Sequence, residues 1–192
     1  MGQYIRAKRF QILYSLLMNR QPFIFLDWNS TTPILPSVRK VMENTFDIFG
    51  NPSSIHLEGR KARKIIEDCR SSIGDDLAIG NGKLFFTSGA TESAKLILQE
   101  KGIKSAGIEH LSVLRWTEPA LDIDKDYQVN SSSPDDSTIQ LANSETGIIQ
   151  KNVSSVYMTD ATQYFPKMDF QFCSLEAKSA IISPHKFGGP KG

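Results

Sequence analysis

Between residues 83 and 182, short apolar runs alternate with polar turns and helically spaced segments, and this rhythm limits the fold more than any other feature. Residues 83–87 read as a strand, Ser88-Gly89-Ala90-Thr91-Glu92-Ser93 as a glycine turn, and 94–101 as the helix that the turn opens. Further strands are expected at 106–108, 127–129, 139–142, 156–159 and 180–182, and the Ser-, Pro- and Asp-rich stretch 130–137 is expected to be a loop within the same pattern. Strands interleaved with helices predict an α/β domain with a mostly parallel sheet and flanking helices.

Upstream, the apolar run 23–26 enters a polar loop at Asp27-Trp28-Asn29-Ser30-Thr31-Thr32-Pro33. Val38, Val41, Met42, Thr45 and Phe46 share one helical face; Gly50-Asn51-Pro52-Ser53-Ser54 then breaks the chain before a second helix at 59–73, closed by Gly74. A chain of 192 residues is one domain or part of one. The expected division is a basic extension over 1–22 and a single domain over 23–192.

The extension carries Arg6, Lys8, Arg9 and Arg20 with no acidic residue before Asp27, and its apolar run 12–18 is too short to span a membrane and lacks a small-residue cleavage site. A basic helical extension is the expectation, with an organellar presequence left open. A net charge of +1 without basic runs gives no footprint for nucleic acid. Cys69 and Cys173 form no CxxC pair, so no metal site is expected and a reducing cytoplasm fits. Both are expected to be buried small side chains.

Polar groups gather at the ends of the expected strands, where open α/β sheets bind ligands. The Ser88–Ser93 turn offers backbone N–H groups at a helix start. Glu109-His110 places an imidazole, Asp160-Ala161-Thr162-Gln163 a carboxylate and an amide, and Ser183-Pro184-His185-Lys186 a hydroxyl, an imidazole and an amine. Together they suit an aldehyde cofactor bearing a phosphate and a protonated ring nitrogen. Singly, each also has a structural use: Thr91 as a helix cap, Asp160 as a turn former, His110 as a half-buried core imidazole.

In order and wording, Leu26-Asp27-Trp28-Asn29-Ser30-Thr31-Thr32-Pro33, Gly50-Asn51-Pro52-Ser53-Ser54-Ile55-His56, Thr87-Ser88-Gly89-Ala90-Thr91-Glu92-Ser93, Glu109-His110, Asn143-Ser144-Glu145-Thr146-Gly147, Asp160-Ala161-Thr162-Gln163 and Ser183-Pro184-His185-Lys186 resemble the motifs of the cysteine desulfurases, class V enzymes of the fold type I pyridoxal-phosphate group. The resemblance implies a truncated large domain of that fold and pyridoxal 5'-phosphate as cofactor. It implies Lys186 as the Schiff-base lysine, Asp160 on the pyridinium nitrogen, and His110 stacked on the ring. Ala90, Thr91, Ser183 and His185 would hold the phosphate, Gln163 the phenolic oxygen, and Ser144 stands where the family has an asparagine that contacts the cofactor. It further implies sulfur transfer from cysteine in iron–sulfur cluster biogenesis.

Three departures accompany it. Neither cysteine matches the family's nucleophile, which lies in a carboxy-terminal domain. The connection from Asn143 to Ser155 is near the minimum of about a dozen residues for joining parallel strands, so the sheet face between Ile139 and Ile182 is expected to lie partly bare. The strand that completes the family's sheet beyond the lysine loop is also not found. Three readings stay open: an enzyme component completed by a desulfurase or complementing half, as a homo- or hetero-oligomer; a non-catalytic regulator of a full-length desulfurase; and a decayed fragment.

Overall fold

The computed structural model describes residues 24–151 and 153–191, so the extension over 1–22 lies outside the described residues. Helix α1 spans Pro36–Thr45 with a proline in its first turn, where no intrahelical N–H is needed. None of its residues is fully buried: Val38 and Met42 are half-buried, while Val41 and then Phe46 beyond its end are exposed. Helix α2 spans Leu57–Asp76 and is capped by His56, whose Nδ1 accepts the Gly59 N–H at 3.3 Å. It runs past the expected stop at Gly74, which is buried inside the helix, and Leu77 caps it instead. Helix α3 (Ala90–Leu98) follows the glycine turn, starting earlier than its apolar spacing indicated.

The remaining elements are short: β1 (Lys104–Ser105), α4 (Leu111–Leu114), β2 (Glu118–Pro119), β3 (Asp122–Ile123), β4 (Val129–Asn130), β5 (Thr138–Gln140), β6 (Met158–Asp160), α5 (Phe172–Leu175) and β7 (Ala180–Ile181). β5, β6 and β7 form a parallel sheet in that order, with Gln140 opposite Asp160 and Asp160 opposite Ile181. A parallel bridge from Lys104 to Ser137 joins β1 to β5, and β2 lies parallel on β1's other side. β3 and β4 form a separate antiparallel pair. The mostly parallel α/β reading therefore holds.

Residues 83–87 are a correction. No strand pairs with them among the described residues, and Phe85 and Phe86 are 76% and 52% exposed. The Leu84 carbonyl is taken by the Arg70 guanidinium rather than by a strand. The apolar run at 23–26 likewise forms no strand among its described residues, and Ile24 and Leu26 are exposed.

The expected bare face is also overturned, because Ile139, Leu141, Val153, Val156, Met158 and Ile181 are all buried. Ala94 and Leu98 of α3, with Val113 of α4, pack with Met158 and Ile181. Ile139, Leu141, Val153 and Val156 pack with Phe170 and Ala177, and Tyr164, Phe165, Phe172 and Leu175 lean on that cluster. The helix-free connection folds as a hairpin in which Asn143 N–H bonds Ile148 O and Gln150 N–H bonds Leu141 O, each at 2.9 Å. Gln150 pins it to the β4 region, its Oε1 accepting Val129 N–H at 2.8 Å and its Nε2 donating to Tyr127 O at 2.9 Å. Hydrogen bonds thus do part of the work that a covering helix would otherwise do.

Leu98 lies at the centre of the α3 contact, whereas Leu96 on the same helix faces solvent. Leu98→Ala should lower the unfolding free energy by about 2–5 kcal/mol in chemical denaturation. Leu96→Ala should change it by less than about 0.5 kcal/mol; equal effects would show that α3 does not cover this sheet.

Candidate functional site

Asp160 ends the central strand of the three-stranded sheet, and its backbone carbonyl accepts Leu141 N–H at 3.0 Å. Its side chain is buried and its Oδ1 accepts the Thr162 N–H at 2.8 Å. Burial raises its pKa above the ordinary aspartate value, opposed by hydrogen bonding from Thr162 and by the nearby charges of His110 and Lys186. A buried carboxyl in this setting gains from a cationic partner.

One strand over, β7 runs into Ser183 and a single 3-10 turn, Pro184–Lys186. Ser183 is buried, and its carbonyl accepts the Lys186 N–H at 3.2 Å. The Lys186 amine donates to the Asn29 carbonyl at 2.7 Å, and the Gln163 amide donates to that same carbonyl at 2.6 Å. Gln163 Oε1 in turn accepts from Lys167 Nζ at 3.0 Å. Burial lowers the Lys186 pKa and Lys167 adds to the effect, while Asp160 and Asp27 pull the other way.

The loop that carries Asn29 is fastened to the lysine turn. Thr32 N–H and Oγ1 bond the His185 carbonyl at 2.8 and 2.9 Å, and Thr32 Oγ1 accepts the Gly188 N–H at 2.7 Å. His185 Nδ1 pairs with Thr31 Oγ1 at 3.0 Å, and burial, followed by Lys186 and Lys191, holds the imidazole pKa below its ordinary value. Gly188 sits at φ +92°, and a Cβ there would lie 2.5 Å from Leu35 Cγ, so both backbone and space call for glycine.

His110 caps α4, with Nδ1 accepting Ser112 N–H at 3.2 Å. That bond leaves Nε2 as the protonated nitrogen of the neutral ring. The ring is exposed rather than half-buried. Its neighbour Glu109 is only 3% exposed and reaches β5, where Oε1 accepts the Gln140 N–H at 2.8 Å.

At the start of α3, Gly89 adopts φ 155° and ψ 173°, a region essentially reserved for glycine, and the space a Cβ would occupy there is open. Ser93 N–H reaches the Gly89 carbonyl at 3.1 Å, leaving the N–H groups of Ala90, Thr91 and Glu92 as donors without a partner among the described residues. Glu92 Oε2 already accepts Ser88 N–H at 2.6 Å, which lowers the Glu92 pKa. α3 packs on β7 and α4. Ser144 bonds inward, with N–H to Gln140 Oε1 at 3.2 Å and Oγ to Glu145 Oε1 at 3.3 Å.

The structure thus brings Asp160, Lys186, Gln163 and His110 into one neighbourhood and places Ala90 and Thr91 on a helix packed against the strand that leads to Ser183 and His185. Sequence reasoning gave no role to Asn29, Thr32, Glu109, Gln140 or Asn143. Asn143 organises its loop, its Oδ1 accepting from Glu145 N, Thr146 N and Thr146 Oγ1 and its Nδ2 donating to Ile108 O. An asparagine four residues before a turn glycine, Gly147, carries that signal in principle. Cys69 and Cys173 are exposed, contrary to expectation, and Cys173 Sγ lies 2.9 Å from where a Cβ on Gly80 would stand.

Residues 24–110 match the family described as aminotransferase class-V. The chain is 30% identical to a putative cysteine desulfurase NifS of Bacillus subtilis, over 88% of this chain and 52% of that protein. It is also 30% identical to the cysteine desulfurase IscS of Dictyoglomus turgidum, with the same 88% and 52% coverage. A NifS-like protein from Rickettsia africae superposes with a TM-score of 0.77 at 27% identity, over 89% of this chain and 56% of that one. SspA in complex with cysteine gives 0.75 at 27% identity, over 88% and 59%. The chain spans about half the length of the curated relatives it matches. It is similar to cysteine desulfurases over a span that fits their amino-terminal portion, and residues 24–110 carry the match to the class-V aminotransferase family.

Site-resolved amine labelling across pH should find Lys186 titrating below the ordinary lysine value. Asp160→Asn should lower its midpoint further, because the aspartate favours the ammonium form. A midpoint unmoved by that substitution would separate the two groups.

Proposed function

We propose that this desulfurase homologue is the cofactor-holding part of a cysteine desulfurase-like unit, binding pyridoxal 5'-phosphate and needing further polypeptide to complete sulfur transfer from cysteine. The observation that carries the reading is a buried Asp160 at the end of β6 with the Lys186 amine in the turn beyond the adjacent parallel strand β7, near enough for each charge to bear on the other's pKa. The donor set fits the group: a buried carboxyl for a ring cation, an amine for an aldehyde, and unpaired N–H groups with open space at Gly89 for a phosphate.

When bound, pyridoxal phosphate would supply a reactive carbonyl and an electron-withdrawing ring. Lys186 would hold it covalently, and the lowered pKa of its amine favours the free base needed for attack. Asp160 would face the ring nitrogen, with His110 over the ring and Gln163 at the phenolic oxygen. Ala90 and Thr91 would bind the phosphate through their N–H groups, joined by Ser183 and His185. Ser144 plays the smallest part, because its hydroxyl and N–H are already engaged within its own loop. His110 is free to hold or pass a proton at Nε2. These assignments require the Asn29 loop to release Lys186 and Gln163.

The nucleophilic thiol would come from elsewhere. Cys69 lies on α2, and Cys173 packs where α2 turns toward residues 83–87. The unpaired stretch at 83–87, with Phe85 and Phe86 exposed, supports completion of the sheet by an added strand. That strand would come from a second desulfurase-like chain or a complementing half and would complete the single domain over 23–192. A non-catalytic regulator is the second reading, favoured by one fact: Asn29 engages both Lys186 and Gln163, so the site closes on its own chain.

Purified protein given pyridoxal phosphate, alone and with a complementing carboxy-terminal half, should develop a visible absorbance that Lys186→Ala abolishes. Absorbance that survives the substitution places the chromophore elsewhere, and none in either preparation favours the non-catalytic reading.

The chain alone should release no sulfide from cysteine, since the attacking species is a thiolate and neither cysteine accompanies the Asp160–Lys186 group. Turnover by the chain alone that vanishes on Cys173→Ser would place the nucleophile within it.

A further inference from the structure

Glu109 is the buried titratable group that the proposed chemistry leaves unused. Its Oε1 fills a gap in the sheet: β1 gives β5 one bridge, at Ser137, and its strand then ends, so the Gln140 N–H turns to the carboxyl at 2.8 Å instead. Gln140 stands opposite Asp160 in the ladder. Its side-chain oxygen also gathers Asn143 Nδ2 at 3.3 Å and Ser144 N–H at 3.2 Å. The second oxygen, Oε2, is buried with no hydrogen-bond partner among the described residues.

An acceptor for one N–H needs no charge, and a carboxylate with one oxygen buried and unpaired is costly. The titratable groups around it sharpen the choice. Asp160 faces it from β6, and a second negative charge beside that aspartate is unfavourable. His110, at the start of α4, and Lys186, beyond β7, favour the charge of Asp160. Asp160 also holds the Thr162 N–H. Of two neighbouring buried carboxyls, one has cationic neighbours and the other has an orphaned oxygen.

We propose that Glu109 is a positioning residue that holds a proton, remaining a neutral acid so that Asp160 is the one ionised carboxyl presented to the ring nitrogen. This rests on the cofactor reading for its purpose, but not for the protonation itself. Burial raises the Glu109 pKa to about 8, with Asp160 adding to the effect and the Gln140 hydrogen bond opposing it. The sign follows from a folded pKa above the unfolded one. The stability contribution is full below pH 4.5 and is lost progressively as pH rises toward about 8.

The test compares the full chain with Glu109→Gln, which keeps the acceptor for Gln140 and cannot ionise. In cofactor-free protein, the folding constant of wild type should fall relative to Glu109→Gln by up to about tenfold per pH unit within that window. Infrared spectra of wild type with ¹³C-labelled glutamate should show an isotope-shifted protonated-carboxyl band at neutral pH that Glu109→Gln removes. Pyridoxal phosphate affinity should match between the two near neutrality, and above about pH 8 only wild type should lose the extra increment caused by Glu109 ionising. Parallel stability profiles, or no protonated glutamate band in wild type, would overturn the proposal, and the band needs no variant that must fold. Absence of cofactor binding by wild type, with the band present, would instead remove the cofactor reading and leave the neutral acid standing.

Discussion

Parallel strands β5, β6 and β7 need cover on both faces, because their side chains alternate between two sides that are both apolar here. α3 and α4 supply one cover through Ala94, Leu98 and Val113. The other comes from the Phe165–Phe170–Phe172 cluster and the folded-back connection. Phe165 meets Phe187 edge-on at 5.3 Å, which ties this cover to the residue after Lys186. Sheet packing and site geometry are therefore one problem: the same contacts that bury Met158 and Ile181 fix where Asp160 and the lysine turn emerge.

The electrostatics of the site follow from that burial. Two carboxyls, Asp160 and Glu109, are taken out of water close to each other, and both are pushed toward their neutral forms. Lys186, partly buried and near Lys167, is pushed the same way, toward the uncharged amine. Each group thus avoids its charge until something compensates it. The compensations already in place are local, the Thr162 N–H for Asp160 and the Asn29 carbonyl for Lys186. They are unequal. The Thr162 bond is set by the two-residue turn after β6, while the Asn29 bond depends on a loop far away in sequence and held by Thr32.

What was legible in the sequence tracks what is local. The strand ends at Asp160 and after Ile181 and the glycine turn before α3 lie close to where periodicity and turn chemistry place them. What was not legible depends on distant partners. The run Lys83, Leu84, Phe85, Phe86 and Thr87 has strand composition, but composition does not supply a neighbour, and none pairs with it among the described residues. The bare face inferred from the short connection failed because a hairpin pinned by Gln150 replaces a helix, and a lone glutamine bonding a strand more than twenty residues away leaves no periodic trace. The Asn29 contact was invisible for the same reason, since it uses a backbone carbonyl that every residue possesses.

The short connection and the retained site are compatible on physical grounds. A crossover helix covers a sheet face, but the site residues sit on strand ends and in turns whose hydrogen bonds are internal: Asp160 to Thr162, Lys186 N–H to Ser183, His110 to Ser112, and Asn143 to its own loop. Such turns persist as long as the strands beneath them stay paired and dry, whichever segment keeps them dry. The segment at 83–87 is less fully served from within, since no strand pairs with it among the described residues. Arg70 meets the Leu84 carbonyl and lies over the Phe86 ring, yet Phe85 and Phe86 stay exposed, a surface that an added strand would cover. Since that segment leads directly into Gly89 and the first turn of α3, the pairing that closes the open edge would also steady the N–H groups proposed to hold the phosphate, coupling completion of the sheet to completion of the site.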